Sequence, residues 1–104
     1  LAQGVVQKNP NVAGFVDTLG WVYYQKGLYA AAAEQLQKAV SLDEAAAKKA
    51  NTPPSATYHY HLGMALNAKG DKAGARRELS AALQLADKVP FAYAEDARKA
   101  LETL

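Results

Sequence analysis

"DTLGWVYYQKG", Asp17 to Gly27, returns forty-three positions later as "YHLGMALNAKG", Tyr60 to Gly70. Set against itself at that offset, the chain places Leu19 on Leu62, Gly20 on Gly63, Lys26 on Lys69 and Gly27 on Gly70. The correspondence continues through Ala30 and Ala73, Ala32 and Ala75, Leu36 and Leu79, Ala39 and Ala82, and Leu42 and Leu85. Most matched positions are small or apolar, the kind that pack against a neighbour. A chain that repeats its packing residues at a fixed period is built as an array of like units.

Each copy divides around its second glycine into two helical patterns. Val12, Phe15, Val16, Leu19, Val22 and Tyr23 fall at i, i+3, i+4, i+7, i+10 and i+11, and Tyr29, Ala32, Ala33, Leu36, Ala39 and Val40 repeat that spacing. Both are one-sided helical stripes, unlike the alternation of a strand. Gly27 and Gly70 stand where a helix stops, each preceded by a lysine that suits the negative helix end. Asp71 is a good N-cap for the helix that follows, whereas the first copy offers only Leu28 there. Gly20 and Gly63 fall inside helices, where glycine costs roughly 1 kcal/mol against alanine. That cost implies a partner helix too close to admit a side chain.

Composition agrees. The 104 residues amount to one domain's worth of chain, half of them hydrophobic, with many alanines and no isoleucine. The formal charge of +2, from twelve basic and ten acidic residues mixed along the chain, forms no basic stripe, so no nucleic-acid partner is expected. With no cysteine, disulfides, thiolate metal sites and a cysteine nucleophile are excluded. No stretch approaches the ~20 apolar residues of a membrane span, and no signal peptide is recognisable. The chain starts at Leu1 rather than Met, which reads as a piece of a longer protein.

The stretch "VDTLGWVYYQKGLYAAAAEQLQKAVSLD" resembles a tetratricopeptide repeat, with Leu19, Gly20, Tyr23, Gly27, Tyr29, Ala32, Leu36 and Ala39 at the family's signature positions. Leu62, Gly63, Leu66, Gly70, Ala75, Leu79 and Ala82 carry the second copy, which departs at Lys72 and His59. The resemblance implies an all-α, antiparallel helix-pair solenoid. Continuing the register backwards places Pro10 at the end of a preceding repeat, with residues 1–10 as its last turns. Residues 12–44 and 56–87 form the two repeats, and 90–104 a capping helix of about Phe91 to Thr103, with Pro90 near its start. Ala94, Ala97, Leu101 and Leu104 mark the cap's packing face, and Glu95, Asp96, Arg98, Lys99 and Glu102 its charged outer face.

The family period is about 34 residues, so "EAAAKKANTPPSA", residues 44 to 56, holds an excess. Its first half is strongly helix-forming, and Pro53-Pro54 favours a new helix start. The expectation for 45–55 is that the preceding helix runs on by about two turns and then links to the next. Such an extension is either a tolerated insertion or a spacer or hinge that changes curvature or allows helix exchange between chains.

No constellation for catalysis assembles. His59 and His61, the only histidines, point to different sides of a helix and do not chelate one metal as an i, i+4 pair would. His59 occupies an apolar slot and reads as a packed, hydrogen-bonded core histidine. Asp17, Asp43, Glu44, Glu78, Asp87, Glu95 and Asp96 are spread along helices and read mostly as solvated charge. Nucleophile elbows, phosphate loops and calcium loops are absent, so neither enzymatic activity nor a cofactor or metal is expected.

A second face of each first helix is more informative. Asp17, Trp21 and Tyr24 stand at i, i+4 and i+7, with Tyr60, Met64 and Asn67 as their equivalents. In tetratricopeptide arrays, the resemblance implies, these positions line a concave groove for a partner segment. Trp21, Tyr24, Tyr60 and Met64 are the contact candidates, with Asp17, Gln25 and Asn67 as polar fixers; alternatively, Trp21 and Tyr24 simply pack against the preceding repeat or fill a narrow groove. A carboxylate clamp of the chaperone-binding kind is not expected, because Asp17 and Trp21 stand where it needs lysine and asparagine. The implied function is binding of a protein or peptide, against the alternative of an end-cap that self-associates. "DTLGWVYYQKG" and "YHYHLGMALNAKGDKAGARRELSAAL" are further similar to the closing repeats of bacterial tetratricopeptide lipoproteins linked to exopolysaccharide export and PEP-CTERM sorting, which implies a lipid-anchored, periplasmic parent.

Overall fold

The computed structural model describes residues 12–89 and 91–104. Five helices run through them: α1 (Ala13–Gln25), α2 (Tyr29–Ala50), α3 (Ala56–Lys69), α4 (Lys72–Leu85) and α5 (Ala94–Glu102). The expected tail of a preceding repeat, with Pro10, and Pro90 at the head of the cap lie outside the described residues. Helices α1 and α2 form one hairpin and α3 and α4 a second; α2 packs on α3, and α5 packs on α4. This is an all-α solenoid of helical hairpins.

The two hairpins close in the same way. A Cβ on Gly20 would stand 2.6 Å from Leu36 Cγ, and one on Gly63 would stand 2.7 Å from Leu79 Cγ. Each pair is the other displaced by one repeat, so the mid-helix glycines are explained by close approach of the partner helix. Gly27 and Gly70 adopt φ of 80° and 104°, the left-handed conformation that ends a helix with little strain in glycine alone. Around them the N–H of Leu28 donates to Tyr23 O, and that of Asp71 to Leu66 O, at 2.9 and 2.8 Å. Asp71 caps α4 by accepting from Gly74 N–H at 2.9 Å, whereas Leu28 offers α2 no side-chain cap.

Helix α2 has 22 residues against the 14 of α4. Its end is set by Asn51 at φ 57°, the sole non-glycine residue in the left-handed region among those described. Asn tolerates that region better than most side chains. Asp43 then ties the long helix to the next hairpin by accepting from Ser55 N–H at 2.7 Å, while Ser55 Oγ accepts from Tyr58 N–H and caps α3.

Ala32, Ala33, Leu36 and Val40 of α2 meet Leu62, Ala65 and Leu66 of α3 and Ala75 of α4 in one buried cluster. A second joins Tyr60, Leu79 and Ala82 to Ala97 of α5. Parts of the expected stripes depart from this core: Val12, Phe15 and Tyr29 are 45, 39 and 38% exposed. They stand at helix starts: Val12 precedes α1, Phe15 lies in its first turn and Tyr29 opens α2. The cap begins at Ala94 rather than Phe91 because Phe91 and Tyr93 turn their rings onto Tyr60, with centroids 5.8 and 5.2 Å away. The cap's charged outer face, from Glu95 to Glu102, is exposed as expected.

Candidate partner-binding groove

Spacing along α1 brings Trp21 one turn above Asp17 and one turn below Tyr24. Their surroundings come from α3. Trp21 stacks on Tyr24 at 4.5 Å with 5° between the planes, and on His61 at 4.0 Å with 20°. Tyr60 approaches Trp21 at 6.3 Å, and Tyr93 stacks flat on Tyr60, 1° from parallel. Beyond Tyr24 lies Tyr29, at 5.6 Å. The result is a row of rings, Tyr29–Tyr24–Trp21–Tyr60–Tyr93, that crosses from one hairpin to the next and ends on exposed rings at both sides.

Of the residues chosen from the sequence, Trp21, Tyr24 and Tyr60 come together in this row. Met64 packs half-buried beside Tyr60. Asn67 is half-buried and accepts from Lys72 Nζ at 2.7 Å. Gln25 is exposed at the end of α1. Asp17 differs most from expectation. It is 6% exposed and accepts from His61 Nδ1 at 2.9 and 3.0 Å through its two carboxylate oxygens. Glu78 is likewise no solvated charge, since it is 8% exposed and accepts from His59 Nδ1 at 2.8 Å and Arg77 Nε at 3.0 Å. Both carboxylates are buried because each meets an imidazole across a helix–helix junction, which a single-helix pattern does not reveal.

His61, Phe91 and Tyr93 join this cluster of rings, and sequence reasoning does not select them. For His61 a signal did exist: Asp17 lies one repeat period plus one residue before it, and like positions of successive repeats are neighbours in an array. Phe91 and Tyr93 gave no such signal, being placed by a turn outside any helix.

Burial pushes the Tyr60 hydroxyl above its usual range, aided by Asp96, and burial with Tyr29 does the same for Tyr24. Both phenols therefore remain hydrogen-bond donors at neutral pH. On the other side of α3, the hydrogen bond to Glu78 raises His59 above the usual imidazole value, against the opposing effect of burial. Burial pushes Glu78 upward, but the bonds from His59 and Arg77 prevail and hold it below the ordinary carboxylate value. His59 also looks onto a hollow of about 260 Å³ between α2 and α4, with Glu44 at 3.7 Å from its Nε2 and Lys88 on the rim. As expected, His59 is a packed, hydrogen-bonded histidine. Among the described residues, no three histidine or acidic side chains group as a metal site, and no helix is long and apolar enough to cross a membrane.

Residues 17–45 match the tetratricopeptide repeat family model. The match covers α1 from Asp17 and most of α2, and the Gly20–Leu36 contact of that hairpin recurs as Gly63–Leu79 between α3 and α4. No curated protein matches the chain. Tetratricopeptide repeats generally mediate protein–protein interaction, and their helical fold is typically non-catalytic.

Proposed function

We propose that this chain is a non-catalytic interaction module that holds a peptide or helix of a partner protein along the faces of α1 and α3. The row of rings from Tyr29 to Tyr93 carries this reading. Tyrosine and tryptophan supply much of the binding energy at interfaces, through large apolar faces that also carry a polar group. Tyr24, Met64, Asn67 and Gln25 supply contact, while buried Asp17 and Tyr60 hold the row in place. In this reading residues 12–44 and 56–87 are the two repeat units, 45–55 the extension and linker, and 90–104 the cap. The similarity to exopolysaccharide-associated lipoproteins extends the proposal to a lipid-anchored parent facing the periplasm.

The test is selection of binders from a random peptide library, followed by mapping of amide shifts on the 104-residue chain. Shifts concentrated on α1, α3 and the Trp21 indole, with binding weakened at least tenfold by Met64→Ala plus Tyr93→Ala, are the expected result. Shifts confined to the outer faces of α2 and α4 would overturn the groove assignment.

A second reading draws on a different observation. Val12 and Phe15 at the start of α1 and Leu28 in the turn after it are large and exposed, while the α5 end is covered with charge. In that reading the chain is an end-cap whose α1 edge self-associates. Sedimentation at rising concentration distinguishes it: Phe15→Glu would abolish a dimer formed there and leave peptide binding intact.

A further inference from the structure

We propose that the row of rings takes a proline-rich segment of a partner in the polyproline II conformation, with a basic residue of that segment beside Asp96. This rests on the groove reading and adds to it the chemistry of the occupant.

The polar heads of the row are the decisive feature. The indole N–H of Trp21 and the phenols of Tyr24, Tyr29, Tyr60 and Tyr93 have no hydrogen-bond partner among the described residues. Among those residues no fully buried side-chain nitrogen or oxygen lacks a partner, so these heads reach solvent. Tyr60 is the clearest case. The residue is only 7% exposed and its ring is covered by Trp21, Phe91 and Tyr93, yet its hydroxyl opens outward unpaired. The heads also run together. That of Tyr24 lies near those of Tyr29 and Tyr60, and that of Tyr60 near Tyr93.

Acceptors along the row are already taken. Asp17 turns both carboxylate oxygens to His61, and Asn67 Oδ1 accepts from Lys72 Nζ. An indole N–H only donates, and a protonated phenol has a hydrogen to give. The groove therefore offers donors in excess, and its complement is a ligand with acceptors in excess.

That property separates the candidate occupants. A helix spends its backbone carbonyls on its own N–H groups and presents few acceptors. A polyproline II strand makes no internal hydrogen bonds, so its carbonyls are free, and each proline brings no N–H in need of an acceptor. Its preformed shape keeps the ordering cost low, and its apolar rings suit grooves lined by aromatic side chains. The strand rises ~3.1 Å per residue, against steps of 4.5 to 6.3 Å between successive rings of the row. Roughly two residues thus pass each ring. Oligosaccharides also stack on rings, but their hydroxyls donate as well as accept and call for free carboxylate or amide oxygens along the row. Charge marks one end. Asp96, in the first turn of α5 and near Tyr60, is exposed and has no ion-pair partner among the described residues, whereas its neighbour Glu95 is paired with Arg98. A lysine or arginine of the bound segment complements Asp96 there.

The experiment titrates three probes into the whole, isotope-labelled chain: an oligoproline with one terminal arginine, an alanine-based helical peptide with the same arginine, and a neutral oligosaccharide. The oligoproline is expected to bind saturably, at least tenfold more tightly than the other two, and to shift the Trp21 indole N–H together with amides of α1 and α3. Tyr24→Phe plus Tyr60→Phe, which removes two hydroxyls and keeps the rings, should weaken it at least fivefold. Asp96→Asn should bring the arginine-bearing oligoproline to the affinity of an arginine-free one. Oligoproline that does not bind saturably, tighter binding of either other probe, or unchanged affinity in the folded phenylalanine variant would overturn the proposal. An arginine effect that survives Asp96→Asn would overturn the placement of the basic residue. The comparison of probes on the wild type decides the matter even if a variant fails to fold. A helical peptide that binds best on the same α1 and α3 resonances removes the proline-rich occupant and leaves the groove standing; shifts confined to other faces for every probe remove both.

Discussion

A methyl group at Gly63 would press on Leu79 Cγ from 2.7 Å and on its backbone nitrogen from 3.2 Å. Alanine gains about 1 kcal/mol in helix propensity, but overpacking of this kind costs typically ~1–3 kcal/mol. Because the backbone as well as the side chain is in the way, the clash should prevail. Gly63→Ala is expected to lower unfolding stability by ~1–2 kcal/mol in urea titration. Combined with Leu79→Ala, the loss should fall short of the sum, since one substitution removes the atoms the other strikes. His59 and Glu78 set a pH dependence. His59 is raised above its ordinary 6.5, so its contribution is complete below that pH and is lost as pH rises through the raised value. Glu78 is lowered below its ordinary 4.5, so its contribution is complete above that pH and is lost as pH falls through the lowered value. The pair thus stabilises most between those two ordinary values. The stability difference between wild type and His59→Gln, measured by urea unfolding, should be larger at pH 5.5 than at pH 9.

Helix α4 begins on Asp71, whose carboxylate accepts from Gly74 N–H, while α2 begins on Leu28 with no side-chain partner. The two starts occupy equivalent places in the repeat, so they can be exchanged as a test. Asp71→Ala should cost about 1 kcal/mol. Leu28→Asp, which adds an acceptor and removes an exposed apolar side chain, should gain up to about 1 kcal/mol. Thermal unfolding of the two variants should therefore move in opposite directions. The stop signals of these helices, Gly27, Gly70 and Asn51, were of unequal visibility in the sequence. Glycine after lysine is a familiar helix end, so both glycines are legible as stops. Asn51 lay in a polar, proline-flanked stretch where several residues could have ended α2. Only the ties from Asp43 to Ser55 and from Ser55 to Tyr58 define where the next helix starts.

Across the whole molecule, the larger buried cluster binds α2, α3 and α4, whereas α5 contributes one fully buried residue, Ala97, to the smaller one. Local opening follows the apolar contacts that must be broken. In native-state hydrogen exchange, amides of α5 should open at the lowest free energy of the five helices, and those of α2, α3 and α4 should open together at the highest. Equal protection of α5 and α3 would show that the cap is part of the main cooperative unit. The aromatic row spans three parts of the chain, so opening of α5 also withdraws Tyr93 from Tyr60. A partner seated on the row should slow exchange in α5 more than in α2.

The hairpins, their glycine contacts and their turns followed from the sequence alone. They depend on periods of three to four residues and on one residue type, glycine, whose absence of a side chain has few uses. That Asp17, Trp21 and Tyr24 share a face of α1 was also legible, because helical spacing sets it whatever surrounds them. What lies opposite that face was decided only by the tertiary structure. The crossing of α1 on α3 turns Asp17 from a surface charge into the buried partner of His61 and stacks that imidazole on Trp21. A non-helical turn places Phe91 and Tyr93 on Tyr60, at a position no periodicity encodes. Local spacing fixes which residues share a helix face; the distance and angle between helices fix which faces meet, and those emerge only when the whole core packs.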